Sequence, residues 1–227
     1  MDQPLPAGRK VCVEFLWGVL SSLVASLVGV VAVWFGSQRV RGWLVAWLSR
    51  LTGVGVVRVY ATQSLANGAL GNDLRRARWI RAYVSRGNEL TRDSFSGLWA
   101  GGSRSVQVDL LMPDPEVADA DSWLARRDLE VGNHDPGFGG GLLARQVRAN
   151  IDYLCARIAG RTEVQMRLYN LPHFGRIIAT DNVVYLTVYQ DSEHGRNSPC
   201  LVFRRSSPMY DLCLRLFALA WSDARSA

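Results

Sequence analysis

The sequence predicts an α/β domain carried on a single N-terminal membrane-spanning helix, and three observations predict it. Residues Phe15 to Phe35, FLWGVLSSLVASLVGVVAVWF, contain no ionisable side chain. From Val54 to Trp221, short β-branched runs alternate with helix-periodic segments, the pattern of strands and crossover helices in one sheet. The 227 residues are 48% hydrophobic with a net charge of +6, which suits a packed globular unit with one apolar appendage.

The apolar run is justified by length. Roughly 20 apolar residues at helical rise cross a hydrocarbon core, and a lone helix pairs all of its own backbone groups there. Arg9 and Lys10 flank it before, Arg39 and Arg41 after. A secretory signal would have a shorter apolar region ending at a small-residue cleavage site. This run closes with Trp34-Phe35-Gly36-Ser37-Gln38-Arg39 and no Ala-x-Ala, so an uncleaved anchor is expected. Arg39, Arg41, Arg50 and Arg58 follow the run, which by the positive-inside rule orients the C-terminal domain to the cytoplasm. The expectation is a single-pass protein of the inner (plasma) membrane, in contact with membrane lipid. Cys12, Cys155, Cys200 and Cys213 lack framework spacing, as suits a reducing compartment. Gly18, Ser22, Ala25, Gly29, Ala32 and Gly36 recur at alternating steps of four and three. They form one small-residue stripe, the expected seam of a homo-oligomer.

The basic excess is almost wholly arginine, because Lys10 is the only lysine in the chain. That excludes P-loop phosphate binding, Schiff-base chemistry and kinase-type ATP clamping in the domain. It leaves anionic lipid, nucleotide or nucleic acid as partners for the charge.

The elements follow in order. Gln38 to Thr52, with Trp43 and Trp47, reads as a juxtamembrane helix, broken by Gly53 and Gly55. Val54 to Tyr60 is a strand by its β-branched content, Gln63 to Asn72 a polar connection, and Asp73 to Arg78 a short helix. Trp79 to Val84 is a strand ending in the turn Ser85-Arg86-Gly87-Asn88. Thr91 to Ala100 reads as a helix with Thr91 as N-cap. Val106 to Leu110 alternates into a strand that ends at Met112-Pro113-Asp114-Pro115. Ala118 to Glu130 is helical, Val131 to Gly141 a loop, and Leu143 to Ile158 an amphipathic helix. Val164 to Leu168 is a strand. A hairpin begins at Ile177-Ile178, turns at Asp181-Asn182 and returns through Val183 to Tyr189. Cys200 to Phe203 is the last strand and Tyr210 to Trp221 the closing helix.

Four runs in this order, LRRARWIRAYVSRGNEL, VQVDLLMPDP, VQMRLYNLPHFGRIIATDNVVYLTVY and SPMYDLCLRLFALAW, resemble phospholipase D-like domains over Arg58 to Trp221. The likeness is to the catalytically degenerate bacterial versions. It implies an α/β fold in which a single N-terminal transmembrane helix precedes a phospholipase D-like sheet domain. The expected organisation is a tail over 1–14, the membrane helix over 15–36, a juxtamembrane segment over 37–53 and the cytoplasmic domain over 54–227. The layout is similar to that of bacterial anti-phage membrane effectors.

In active members of that family each half-site carries His-x-Lys-x4-Asp. Here the matching segment is His173-Phe174-Gly175-Arg176, running on to Asp181. Gly175 stands where the lysine should be. Arg176, one residue late, would point to the opposite face of a strand. The expectation is a binding domain with no catalytic residues, no metal and no cofactor. The resemblance places the ligand near Arg86 and a cluster of Tyr169, His173 and Arg176. A second anion-binding candidate is the glycine-rich loop before the helix bearing Arg145 and Arg148, because a helix amino end offers N–H donors and partial positive charge. Three functions stay open. They are a sensor or effector that binds a nucleotide or oligonucleotide and controls an oligomeric membrane assembly, a membrane-surface phosphodiesterase or phospholipase, and a structural membrane adaptor.

Overall fold

The computed structural model describes residues 17–30, 38–99, 105–117, 122–134, 137, 140–172, 175–189 and 195–227. The chain divides into two units, Met1–Val45 and Ala46–Ala227. The first holds a helix over residues 17–30, α1, and the opening turns of α2 (Gln38–Thr52).

The expected membrane span requires correction. Among the described residues no helix is long and apolar enough to cross a membrane. The described part of the apolar run, residues 17–30, is shorter than the roughly 20 residues that a span needs. The transmembrane part of the fold class, the single-pass inner-membrane placement and the membrane-effector layout are withdrawn with it. Gly18, Ser22, Ala25 and Gly29 lie on α1, while Ala32 and Gly36 lie outside the described residues.

The second unit is built on one mixed sheet of eight strands. They are β1 (Val56–Tyr60), β2 (Trp79–Tyr83), β3 (Gln107–Pro113), β4 (Val164–Tyr169), β5 (Gly175–Thr180), β6 (Val183–Val188), β7 (Cys200–Arg204) and β8 (Arg225–Ser226). Their order across the sheet is β1-β7-β6-β5-β2-β3-β4-β8. β2, β3 and β4 run parallel, as their intervening helices require, whereas β5, β6 and β7 form an antiparallel meander. The helices are α3 (Gln63–Arg76), α4 (Ser96–Trp99), α5 (Trp123–His134), α6 (Leu142–Ile158) and α7 (Pro208–Asp223).

Both faces of the sheet are covered, so inward residues follow a two-residue period on each side. Ile80, Ala82, Val108, Leu110, Met112, Ile178, Tyr185 and Val202 pack with Leu70 and Leu74 of α3 and Val147 and Leu154 of α6. Tyr83, Leu111, Ile177, Ala179, Val184 and Phe203 pack with Tyr210, Cys213 and Phe217 of α7. Ser207 caps α7, its hydroxyl accepting from Tyr210 N at 3.3 Å, and Pro208 opens the helix where no N–H is needed.

Three local expectations change. The polar connection Gln63 to Asn72 is the front of α3. Ala66, Leu70 and Leu74, one turn apart, bury against the sheet and outweigh Gly68 and Gly71. The helix expected from Thr91 is a 3₁₀ turn, Asp93–Phe95, followed by the four residues of α4. Thr91 does not cap it, because its hydroxyl turns back to donate to Asn88 O at 2.9 Å. Helix α5 continues to His134 through the start of the expected loop.

Candidate functional site

A polar cleft of about 540 Å³ opens at one end of the sheet, lined by Gln63, Ser64 and Asn67 of α3, Ser85, Arg86, Asn88 and Glu89 after β2, Arg92, Tyr189, Gly195 and Arg196. The crevice beyond the carboxyl ends of parallel strands is where open α/β sheets receive ligands, because the connections diverge there. β2 supplies that end here.

The segment after β2 is held firmly. Asn150 of α6 donates from Nδ2 to Arg86 O at 2.8 Å and to Asn88 Oδ1 at 2.7 Å. Leu90 N donates to Gly87 O at 2.9 Å, closing a tight turn. Gly87 has φ +81, a backbone conformation that favours glycine, and a Cβ there would stand 2.5 Å from Met112 Cε. Across the cleft, a Cβ on Gly195 would strike the Tyr189 ring at 2.6 Å. Ser85 Oγ donates to the Tyr189 hydroxyl at 3.0 Å. Burial, together with the charge of Glu89, pushes the Tyr189 phenol up to about 12, so it stays protonated at neutral pH. Burial lowers the Arg86 pKa from its ordinary value, with Tyr189 and Glu89 opposing the shift, and the group remains a cation.

Behind Glu89 lies Arg176 of β5. Its side chain is wholly buried, and Nη1 donates to Glu89 Oε1 at 3.2 Å. Nη2 donates to Thr187 Oγ1 at 3.3 Å, across the register pair Arg176–Thr187. With its amide oriented to satisfy its neighbours, Gln63 accepts from Arg176 Nη1 at 2.5 Å and donates to Gly195 O at 3.0 Å. Alternation puts Arg176 on the α3 side of the sheet and Gly175 on the α7 side. At Gly175 a Cβ would lie 2.3 Å from the carbonyl oxygen of Thr187, so the position offers no room for a side chain.

The remaining expected residues fall elsewhere. Tyr169 is buried behind the cleft, its hydroxyl donating to Val84 O at 2.9 Å and its ring edge-on to Tyr83 at 4.7 Å. Burial raises its pKa well above the ordinary tyrosine value. His173 lies outside the described residues. At the front of α6, the buried Asp128 accepts from Gly141 N at 2.8 Å and Leu143 N at 2.9 Å, so the amino end of α6 already holds a carboxylate. Arg145 Nη1 donates to Gly140 O at 2.5 Å and Arg148 pairs with Glu116 at 2.9 Å. Neither lines the cleft.

Reasoning from sequence named Arg86 but missed Gln63, Asn67, Glu89, Arg92, Tyr189 and Arg196. The four-residue spacing of Ala66, Leu70 and Leu74 could have revealed α3 and with it Gln63 and Asn67. No local signal marks Arg196, which reaches the cleft only because β6 and β7 pair.

Chemically, the cleft offers three arginines at its walls, one carboxylate, and neutral amides and hydroxyls. Among the described residues no group of three histidine, cysteine, aspartate or glutamate side chains could hold a metal ion. No protein-family model matches the chain, and no curated protein matches it. Solved structures similar to it include the archaeal chromatin protein TrmBL2, described as showing a novel mode of DNA binding, at TM-score 0.46 and 13% identity over 100% of this chain and 76% of that one. Others are Nuc, a phospholipase D family member from Salmonella typhimurium, at TM-score 0.45 and 13% identity over 71% and 90%. NucT from Helicobacter pylori follows at TM-score 0.42 and 10% identity over 73% and 92%. Likeness at this level leaves function to the residues of the cleft.

Proposed function

We propose that the Ala46–Ala227 unit binds a phosphate-bearing ligand of the nucleotide class, a nucleotide or oligonucleotide, in the cleft between α3 and the segment after β2. The observation that carries this is the convergence of Arg86, Arg92 and Arg196 on one polar cleft with a single carboxylate, Glu89. Guanidinium groups match phosphate oxygens in pairs, and a polar lining suits a sugar-phosphate better than an apolar ligand. Binding is favoured over turnover because the family's lysine position, Gly175, is closed by the Thr187 backbone, and Ser85 donates to Tyr189 rather than to a base.

The test is calorimetric titration of the full chain with ADP. Wild type binds, and Arg86→Ala or Arg196→Ala each weakens binding by about 1.5–3 kcal/mol, the worth of a charged hydrogen bond. Affinity falls with added salt as the charges are screened. Equal affinity in wild type and both variants removes the cleft as the site.

A further inference from the structure

The cleft segment from Arg86 to Glu89 has its acceptors engaged within the protein. Asn150 Nδ2 donates to Arg86 O at 2.8 Å, Leu90 N to Gly87 O at 2.9 Å, and the Thr91 hydroxyl to Asn88 O at 2.9 Å. Glu89, the only carboxylate among the cleft-lining residues, accepts from Arg176 through Oε1. Such a segment has donors left to offer a ligand, and Arg86 is the obvious one.

The same bonds fix a second. A peptide carbonyl only accepts, so the end of the Asn150 amide set 2.8 Å from Arg86 O is its NH2. That NH2 also stands 2.7 Å from one end of the Asn88 amide, which is therefore the oxygen. The other end, Nδ2, carries N–H groups that no acceptor among the described residues takes. Asn88 lines the cleft, whereas Asn150 does not. A side chain of α6 thus sets, from outside the cleft, which end of Asn88 is left for a ligand. An unlocked amide could offer oxygen or nitrogen. This one offers a donor, and ionised phosphate oxygens are acceptors only.

We infer, on the reading that the cleft takes a phosphate-bearing ligand, that Asn88 donates from Nδ2 to a phosphate oxygen beside Arg86, and that Asn150 is the positioning residue that holds Asn88 in that sense. The contact is neutral, so it adds affinity that salt does not screen as it screens the arginines. It also selects for oxygen acceptors, because an N–H group of a ligand at that point would leave two donors facing each other unpaired.

The experiment titrates the full chain with ADP, by calorimetry and by NMR of the side-chain amide groups. In wild type, ADP shifts the Asn88 NH2 signals and leaves those of Asn150 in place. Asn88→Ala weakens ADP binding about tenfold and by the same factor at every salt concentration, whereas Arg86→Ala flattens the salt dependence. Asn150→Leu changes no cleft-lining side chain, yet it weakens ADP binding and shrinks the ADP-induced shift of the Asn88 signals. A merely structural role for Asn150 would lower the melting temperature and leave that shift unchanged, which overturns the positioning role. Asn88 signals unmoved in ADP-saturated wild type, or Asn88→Ala binding ADP as wild type does, overturns the contact. If Arg86→Ala still weakens binding in that case, the cleft stands as the phosphate site without Asn88. Absence of ADP binding in wild type overturns the cleft reading and the inference together. Circular dichroism checks that the variants fold. Should either not fold, the wild-type signals decide, since Asn88 must respond to ADP while Asn150 keeps its hydrogen-bonded shift.

Discussion

Arg176 and Glu89 form an ion pair, Nη1 to Oε1 at 3.2 Å, one side chain wholly buried and the other one-fifth exposed. A buried guanidinium is tolerated only while its charge is answered, and Glu89 is its one ionic partner among the described residues. Thr187 and Gln63 take part of its hydrogen bonding without carrying charge.

Stability should therefore depend on Glu89 in a graded way. Glu89→Ala leaves the guanidinium unanswered and should cost about 3 kcal/mol, at the low end for breaking a buried pair because Glu89 is partly wet. Glu89→Gln retains an acceptor and should cost less than half of that. Urea unfolding of the two variants checks the order, and equal costs would mean that the charge does not matter.

Placing a lysine at position 175 should fail for a steric reason. Gly175→Ala already brings a Cβ to 2.3 Å from the Thr187 carbonyl, a backbone atom within a sheet. It should destabilise by about 1–3 kcal/mol, in the range of overpacked core sites. Gly175→Lys should be no better and should hydrolyse no phosphodiester. A stable Gly175→Lys variant with activity against bis-p-nitrophenyl phosphate would contradict the placement of β5.

How far the sequence reached depended on whether the signal was local. The β5–β6 hairpin was legible because Asp181-Asn182 separates two β-branched runs, and the observed strands meet at that turn. Helix α6 was legible from the spacing of Leu143, Val147, Ile151 and Leu154, all of which are buried. Helix α3 was not, since its glycines and asparagines hide an apolar stripe that matters only once the sheet is there. The apolar run at the N-terminus was read for length, and its described part, residues 17–30, falls short of a span. The cleft was least legible, because Gln63, Glu89 and Arg196 are distant in sequence and are assembled by strand pairing.

Acid should act in part through Asp114. Burial pushes its carboxyl pKa up, but Arg225, which donates from Nε at 2.5 Å and Nη2 at 2.7 Å, and the amide of Glu116 pull it below the ordinary aspartate value. A depressed folded pKa contributes stability that is present above the unfolded value, about 3.9, and is lost as pH falls through the folded one. Asp114→Asn should thus melt lower than wild type at pH 7, with the gap closing below about pH 4. A gap that stays constant to pH 2.5 would show that the pair with Arg225 does not set the titration.

At the front of α6 stability and binding should separate. Asp128→Asn weakens the acceptors for Gly141 N and Leu143 N and should cost about 1 kcal/mol, as for a lost N-cap. Arg145→Ala and Arg148→Ala should leave ADP affinity within about twofold, because neither side chain lines the cleft and exposed pairs contribute little. A tenfold loss in either would move the anion site to α6.

The most direct measurement is a competition between ADP and adenosine for the full chain, followed by calorimetry. If the arginine-lined cleft recognises phosphate, ADP saturates one site per chain and excess adenosine does not displace it. Displacement of ADP by adenosine at comparable concentration, or no saturable ADP binding at low salt, would contradict it.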